Sequence, residues 1–564
     1  MDIAKPTITV GLVTNSYNTP SINLTKRRIS FSSRSLRTVV EHLPSVNLRR
    51  LRFEKYIFLS FIFAVNLIII YLSRSFSRFY WFLLPITIHR PLLDCLEILA
   101  IIILYAFRRA NPRMPEVPQT LENLAYLLPC YNETYEELRN SLNSLAEQKH
   151  LNAHNKVIII ICDGRFRGRG MTKTTAEYLT ENIVEHPSCT PLQDAYTSWD
   201  GTQMDVEIVQ GRFRSLPVFC IIKEENRGKR DSLILVRSCL HKFNQRNLDS
   251  PLGIFSLGFF TKFCNFLIQA SMPSVEYVVG MDADTRFDAE CTFNLMQIAR
   301  EGNQVVGVTG QILVDLTTSK PFSIAHLYQN AEYAIGQHRR RLRQNLTSHK
   351  VTCLPGCCQL LRVVESTCGD EILRQFGYHP NNKDGLFRTI RSMMSEDRDH
   401  VCLVLRENAD VETRQCLSAL AYTSVPQSFS VFLSQRRRWT LGPVTSDVLL
   451  ATRKSTGYIE RIAATSSVIS WSVTLSHSLC FLFRENLDVR TGFILFMLGR
   501  FRNIWDILVV FKSSKSLTEV VQCLIGVVMC STVGQTVTVI IHLYSLYHLD
   551  DFRWGKTRVT ISDN

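Results

Sequence analysis

The sequence predicts a Rossmann-like α/β domain with a mostly parallel sheet, inserted between α-helical transmembrane segments. Three observations carry that prediction. Residues 56–73, YIFLSFIFAVNLIIIYLS, run without a charge for about the thickness of a bilayer core at 1.5 Å rise per residue. From about 121 to 425 short apolar runs alternate with amphipathic stretches, the texture of strands and helices in turn. Beyond 456 the apolar character returns. A chain of 564 residues that is 46% hydrophobic, with mean hydropathy +0.02, suits such a mixture better than a wholly soluble protein.

Residues 1–50 are rich in Ser, Thr, Asn and Arg and lack an apolar core followed by a cleavage pattern, so they read as a flexible cytosolic tail. Residues 51–110 read as a two-helix transmembrane hairpin. NLRRLRFEK stands just before the first span, which puts the N-terminal side in the cytosol by the positive-inside rule. The second apolar segment, about 80–107, is interrupted by His89, Arg90, Asp94 and Glu97 and closes on Arg108, Arg109 and Arg113.

Residues 115–455 form the α/β domain. LAYLLPCYNE is strand then turn, and Thr134 with Glu137 makes a capping box ahead of Leu138, Leu142 and Leu145 at helical spacing. VIIIICDG (157–164) is a buried strand ending in acid, KRDSLILVRSCLHKF a helix with Asp231 as its cap, and YVVGMDADT (277–285) a third strand ending in acid. Residues 456–548 hold the C-terminal transmembrane or interfacial helices, as segments 462–483, 491–511 and 520–547. The last is uncharged and long enough to span with tilt. The middle one carries Arg500, Arg502 and Asp506, costly at a bilayer centre, so it either spans or lies in the interface. Residues 549–564 are a separate C-terminal segment.

The net charge of +14 is scattered in short clusters beside apolar segments, which does not favour nucleic acid. The seventeen cysteines sit in or beside apolar runs and read as reduced thiols. Cys353, Cys357 and Cys358 lack a second Cys/His pair at finger spacing, so zinc gives way to a tight loop. Asn23, Asn132 and Asn345 begin sequons, which carry meaning only in a lumenal chain.

Three strands ending in Glu133, Asp163 and the pair Asp282/Asp284 point to a nucleotide site at the carboxyl edge of the sheet. In the D-x-D, alternate side chains leave one side of an extended segment, so both carboxylates can reach one Mg²⁺ or Mn²⁺. Such a cation accepts phosphate oxygens. SEDRDH (395–400) adds Glu396, Asp397 and Arg398. Acids that decorate a helix start are common, but in this company a general base is the sharper reading. QRRRW (435–439) supplies fixed positive charge beside an indole.

The series PCYNE, CDG, GKRDS, DADT, QNAEY, CLPGCCQLL, SEDRDH, QRRRW and LDDFRWGKTR, in this order over about 120–560, resembles the fungal chitin synthases, processive family-2 glycosyltransferases of GT-A fold, and in its ending the divergent class with D-D-F-x-W-G-K-T-R. D-x-D and Q-x-x-R-W are shared with cellulose and hyaluronan synthases; CLPGCCQLL, QNAEY and the W-G-K-T-R tail are closer to chitin synthases. The resemblance implies that UDP-N-acetylglucosamine sets its uridine against Cys130, Tyr131, Glu133 and Asp163, with Lys229 near the nucleotide and a cation on Asp282 and Asp284. Asp397 is then the base for the acceptor's 4-hydroxyl, flanked by Glu396 and Arg398. Arg438, with Arg436 or Arg437, stabilises the leaving UDP; Trp439 and Gln435 receive the acceptor sugar; Pro355 and Gly356 shape the wall between donor and acceptor. Trp554, Lys556 and Arg558 form a gating segment over bound UDP.

The implied partners are the nucleotide sugar, the growing chitin polymer and membrane lipid, with a homo-oligomer left open. The implied place is the plasma membrane, with the catalytic domain facing the cytosol. Two crossings after that domain return WGKTR to the site, whereas three leave it outside; charge bias and the gating idea favour two, or else a further re-entrant turn. The rival readings are a processive synthase of hyaluronan or another β-glucan, a non-enzymatic basic membrane protein, and an inactive paralogue.

Overall fold

The computed structural model describes residues 46–75, 77–110, 115, 121–168, 170–247, 252–316, 322–452, 457–482, 489–514 and 516–552. These lie in one compact unit spanning Glu41–Ile561; the other unit, Met1–Val40 with Ser562–Asn564, falls outside the described residues. The chain opens with α1 (Leu48–Ser75) and α2 (Ser77–Ala110). Then come β1 (Leu124–Cys130), α3 (Tyr135–Ala146) and β2 (Lys156–Cys162). The capping box is present: the Thr134 hydroxyl accepts from the Glu137 amide, and the Glu137 carboxylate accepts from the Thr134 amide.

A meander follows of β3 (Glu185–Thr197), β4 (Gln203–Phe213) and β5 (Leu216–Lys223), leading into α4 (Gly228–Asn244). Asp231 does not cap α4, which begins three residues earlier. Its carboxylate is buried instead, accepting from Lys223 Nζ at 2.7 Å, the Tyr196 hydroxyl at 2.6 Å and the Trp199 amide at 3.0 Å. A buried ammonium needs a paired anion more than a helix end needs a cap. Next come β6 (Tyr277–Gly280), β7 (Thr285–Phe287), β8 (Val305–Val314), α5 (Ile324–Gly336), β9 (Gln359–Arg362), α6 (Leu386–Met394), α7 (Glu396–Glu407), β10 (Glu412–Thr423) and α8 (Phe429–Thr452).

The ten strands form one sheet in the order β3-β4-β5-β2-β1-β6-β9-β8-β10-β7. The sheet is mixed, not mostly parallel: four pairings are parallel and five antiparallel. The expected strands β1, β2 and β6 are the parallel centre. The meander and the reversed β9 supply the antiparallel share. Along β1 and β2 alternate residues enter opposite cores, Tyr126, Leu128, Ile158 and Ile160 on one face and Leu127, Val157, Ile159 and Ile161 on the other. That two-sided burial explains the unbroken apolar runs.

The C-terminal helices are α9 (Tyr458–Ser472), α10 (Thr474–Leu482), α11 (Val489–Ser513), α12 (Leu517–Thr532) and α13 (Gly534–Tyr547). Among the described residues one helix, α1 over Leu48–Leu72, is long and apolar enough to cross a membrane unbroken; α12 with α13 qualifies as a pair bent by 65°. The segment expected to span at 520–547 is therefore two helices bent at a break, the shape of a broken span or of a re-entrant loop. Four charges of the second and the middle C-terminal segments have protein partners: Asp506 takes Arg339 at 2.6 and 2.8 Å, Glu97 takes Arg343 at 3.0 Å, and Asp94 lies 3.6 Å from Arg502. Leu51 and Ile62 of α1, Leu386, Ile390 and Met394 of α6, Leu441 of α8, and Leu546, Leu549 and Phe552 share one apolar cluster. It seats α6 directly ahead of Glu396.

Candidate active site

Register alone gathers the acids. β1 and β2 end level, with Cys130 opposite Cys162, and β6 runs beside β1 to Gly280. The residues that follow these strands therefore emerge at one edge. β9 runs the other way, its Gln359 opposite Gly280, so the Pro355–Gly356 turn before β9 meets the Asp282 turn after β6. Glu133 accepts from the Tyr131 amide at 2.6 Å, and the Tyr131 ring lies 4.8 Å from that of Phe166. Asp163 accepts from the Arg227 amide at 3.0 Å and from the buried Lys223 at 3.1 Å. Cys130 differs from its expected place. It is buried with its thiol directed at the Ile161 carbonyl, and burial, then Cys162, pushes it well up, so it packs the strand end as a neutral thiol.

At the centre Lys229, at the start of α4, donates to Asp282 Oδ1 at 2.6 Å. Across from it the Gly356 amide donates to Asp397 Oδ2 at 2.8 Å, while Asp397 Oδ1 is buried with no hydrogen-bond partner among the described residues. Burial pushes the Asp397 carboxyl up; Lys229 opposes, and Glu396 and Asp282 add to the rise. Glu396 goes the other way: burial would raise it, but Lys229 and Arg438 hold it below the ordinary value. A strongly perturbed carboxylate pair beside a lysine and an arginine is the kind of cluster found at functional sites. Asp282 and Asp284 alternate along the extended turn and stay partly exposed. Their hard oxygens fit a divalent cation that completes its shell with water and phosphate. No cluster of three or more His, Cys, Asp or Glu able to hold a metal occurs among the described residues, Cys353, Cys357 and Cys358 included.

The three arginines of QRRRW lie on α8, where successive residues turn by about 100°. They consequently part company. Arg436 pairs with Glu332 of α5 at 2.5 Å and Arg437 with Asp551 at 2.9 Å. Arg438 alone joins the acids: burial and Arg437 lower it, while Glu396, Asp397 and Asp282 pull it back. Trp439 is 46% exposed beside Tyr333, ring centres 5.5 Å apart, and Gln435 accepts from Arg436 at 2.5 Å. Gly442 lets α8 close on α7, since a Cβ there would stand 2.6 Å from the Ser395 side chain.

Residues 100–199 and 220–564 match the family model described as Chitin synthase. The chain belongs to the chitin synthase family. Chitin synthase 8 of Gibberella zeae is 35% identical over 97% of this chain and 84% of its own length. Chitin synthase 8 of Verticillium dahliae is 33% identical over 76% of this chain and 74% of its own length. A solved mannosyltransferase from Pyrobaculum calidifontis, in complex with GDP-Man and Mn²⁺, covers 84% of this chain and 99% of its own at 11% identity and TM-score 0.39; a likeness that slight carries no argument. The enzyme is thus a UDP-N-acetylglucosamine-dependent glycosyltransferase that makes chitin, which sets aside the hyaluronan, β-glucan and non-enzymatic readings.

Within this chitin synthase fold not every expected residue reaches the acids. Arg398 turns away from its neighbour Asp397 and meets Asp447 of α8 at 2.5 Å, where Arg340 joins at 2.8 Å. That triad, in which Asp447 and Arg398 are buried and Arg340 half-buried, ties α7 to α8. Trp554, Lys556 and Arg558 lie outside the described residues. Asn132 and Asn345 are buried, where a glycan has no room. The sequence reading missed Glu332, Arg340, Asp447 and Gly442. QNAEY contains Glu332 as its one acid, and Asp447 stands out as an acid amid apolar and small residues, but neither signal names a partner.

Proposed function

We propose that Asp397 is the general base of an inverting transfer of N-acetylglucosamine to the non-reducing end of the chain. The observation that carries this reading is the division of labour within one carboxylate: Oδ2 is pinned by Gly356, and Oδ1 is buried with no hydrogen-bond partner among the described residues. A base so held needs only the acceptor's 4-hydroxyl to complete its hydrogen bonding. The hydroxyl proton passes to Asp397 as O4 attacks C1; the C1–O bond breaks, and UDP leaves with the bonding electrons. Arg438 meets the charge that develops on the leaving diphosphate. Asp282 and Asp284 would hold Mg²⁺ or Mn²⁺, which when bound neutralises diphosphate oxygens.

Tyr131, Glu133 and Asp163 line the uridine side in a GT-A arrangement, with Lys229 at the nucleotide. Trp439 and Gln435 receive the terminal sugar against the wall of Pro355 and Gly356. Residues 51–110 and 456–548 anchor the enzyme in the plasma membrane and take the polymer outward, the 115–455 domain faces the cytosol, and 549–564 closes over UDP. The test is Asp397→Asn in purified membranes with labelled UDP-N-acetylglucosamine. Chitinase-sensitive label should disappear while the donor still binds; polymer made at the wild-type rate would end the proposal.

A further inference from the structure

Glu332 of α5 is separate from the acids that face the donor, yet it makes the most elaborate ion pair near the indole. Both carboxylate oxygens lie 3.2 Å from Arg436 Nε, and Oε2 lies 2.5 Å from Nη2. Gln329, one turn earlier, accepts from the same Nη2 at 3.3 Å. Gripped this way, the guanidinium lies over the Trp439 ring at 4.3 Å from its centre, with Phe432 at 4.5 Å and Tyr333 at 5.6 Å. Arg436 is almost wholly buried, and its charge is answered by Glu332. It therefore has little to offer a diphosphate, but it is well placed to fix a ring that is half exposed. A planar cation on one face holds the indole against rotation, and a bidentate fork is what keeps that cation flat.

We propose that Glu332 is a positioning residue for the acceptor end of the chitin chain, acting through Arg436 to hold Trp439 in the orientation that stacks on the terminal sugar. This rests on the reading of Trp439 as the acceptor platform. The consequence is a selective one. Loss of Glu332 releases the guanidinium and then the ring, so engagement of the acceptor weakens, while the donor side, built on Asp163 and Asp282, is untouched.

The experiment uses the full chain in membranes with UDP-N-acetylglucosamine and a soluble N-acetylchitooligosaccharide. Glu332→Gln should raise the half-saturating oligosaccharide concentration about tenfold, as expected for one desolvated cation–π contact. The KM for the donor should stay within about twofold, and a larger share of UDP should be released by hydrolysis instead of transfer. Arg436→Lys, which keeps the charge but loses the fork, should behave alike and serves if Glu332→Gln does not fold; Glu332→Asp should restore part of the acceptor affinity. In a Trp439→Ala background Glu332→Gln should add nothing further, because both act on one contact. If Trp439→Ala leaves the acceptor constant unmoved, the platform reading itself fails. If Trp439→Ala moves it and neither Glu332→Gln nor Arg436→Lys does, this inference alone is overturned. A parallel loss of donor affinity and turnover in both variants would also overturn it, leaving Glu332 as a structural ion pair.

Discussion

The test with the most direct geometric content is Gly356→Ala. A Cβ at residue 356 would stand 2.8 Å from Asp397 Oδ1 and 2.8 Å from Lys229 Nζ, where ordinary contact begins at 3.4 Å. Each group must then retreat by about 0.6 Å. The lysine is held by its 2.6 Å bond to Asp282, and the short aspartate side chain by the residue 356 amide itself, so neither moves without losing a partner. Residue 356 is not among the glycines with positive φ, so the backbone accepts alanine and the variant should fold. A misplacement of 1 Å costs about 10²-fold in rate; about half of that displacement at Asp397, the proposed base, predicts a fall in kcat of about ten- to a hundredfold. The assay is initial-rate incorporation from labelled UDP-N-acetylglucosamine, with donor binding measured in parallel. A kcat within twofold of wild type would show that the Asp397–Gly356–Lys229 packing does not govern the chemistry.

Asp447→Asn should cost about 3 kcal/mol, because it strands the buried Arg398 guanidinium and removes the partner of the half-buried Arg340, and is read from denaturant melts. Burial alone would raise Asp447, but Arg340 and Arg398 hold it below 3.8. Its contribution is therefore complete above that unfolded-state value and is lost as pH falls through the lower folded one, so the gap between wild type and variant should close only in strong acid. Unchanged melts at pH 7 would count against the triad. Arg438→Ala should lower kcat by about 10²-fold or more with the melt preserved, and an unaffected rate would return the arginine to a packing role. Thr134→Ala should cost about 1 kcal/mol through loss of the cap, with no change in donor KM; a raised KM instead would mean that α3 takes part in binding uridine.

What could be read from the sequence was what is local. The apolar run of β2 implies burial on both faces, Thr134 and Glu137 specify their cap within four residues, and an acid directly after a parallel strand must emerge at the carboxyl edge. Features that depend on distant partners were hidden. The β3–β5 meander shows no alternation in EHPSCTPLQDAYT because β3 is an edge strand with one pairing partner, where Pro187 and Pro191 are tolerated. Asp231 has every local mark of a cap and is claimed by a lysine eight residues earlier across the sheet edge. Cys130 looks like part of a ligand-facing turn, yet strand parity aims it inward. In the candidate site the acids were legible for the same topological reason, whereas the pinning of Asp397 by Gly356 depends on β9 running antiparallel to β6, which nothing within CLPGC reveals.

The arginine run makes the same point about charge. As sequence, RRRW is one cluster with one sign, and every reading of it as a patch treats the three side chains as equivalent. As a helix it is three different directions. Arg436 is spent on Glu332 beneath the indole, Arg437 on Asp551 at the root of the C-terminal segment, and only Arg438 faces Glu396, Asp397 and Asp282. One short stretch of α8 thereby ties Trp439, Asp551 and the acid cluster of Glu396, Asp397 and Asp282 to one helix, and Gly442 brings that helix against Ser395 at the start of α7. Adjacent positions in such a motif need not be similar in function, because identity of residue type there reflects three separate demands for a planar cation, each set by a different anion.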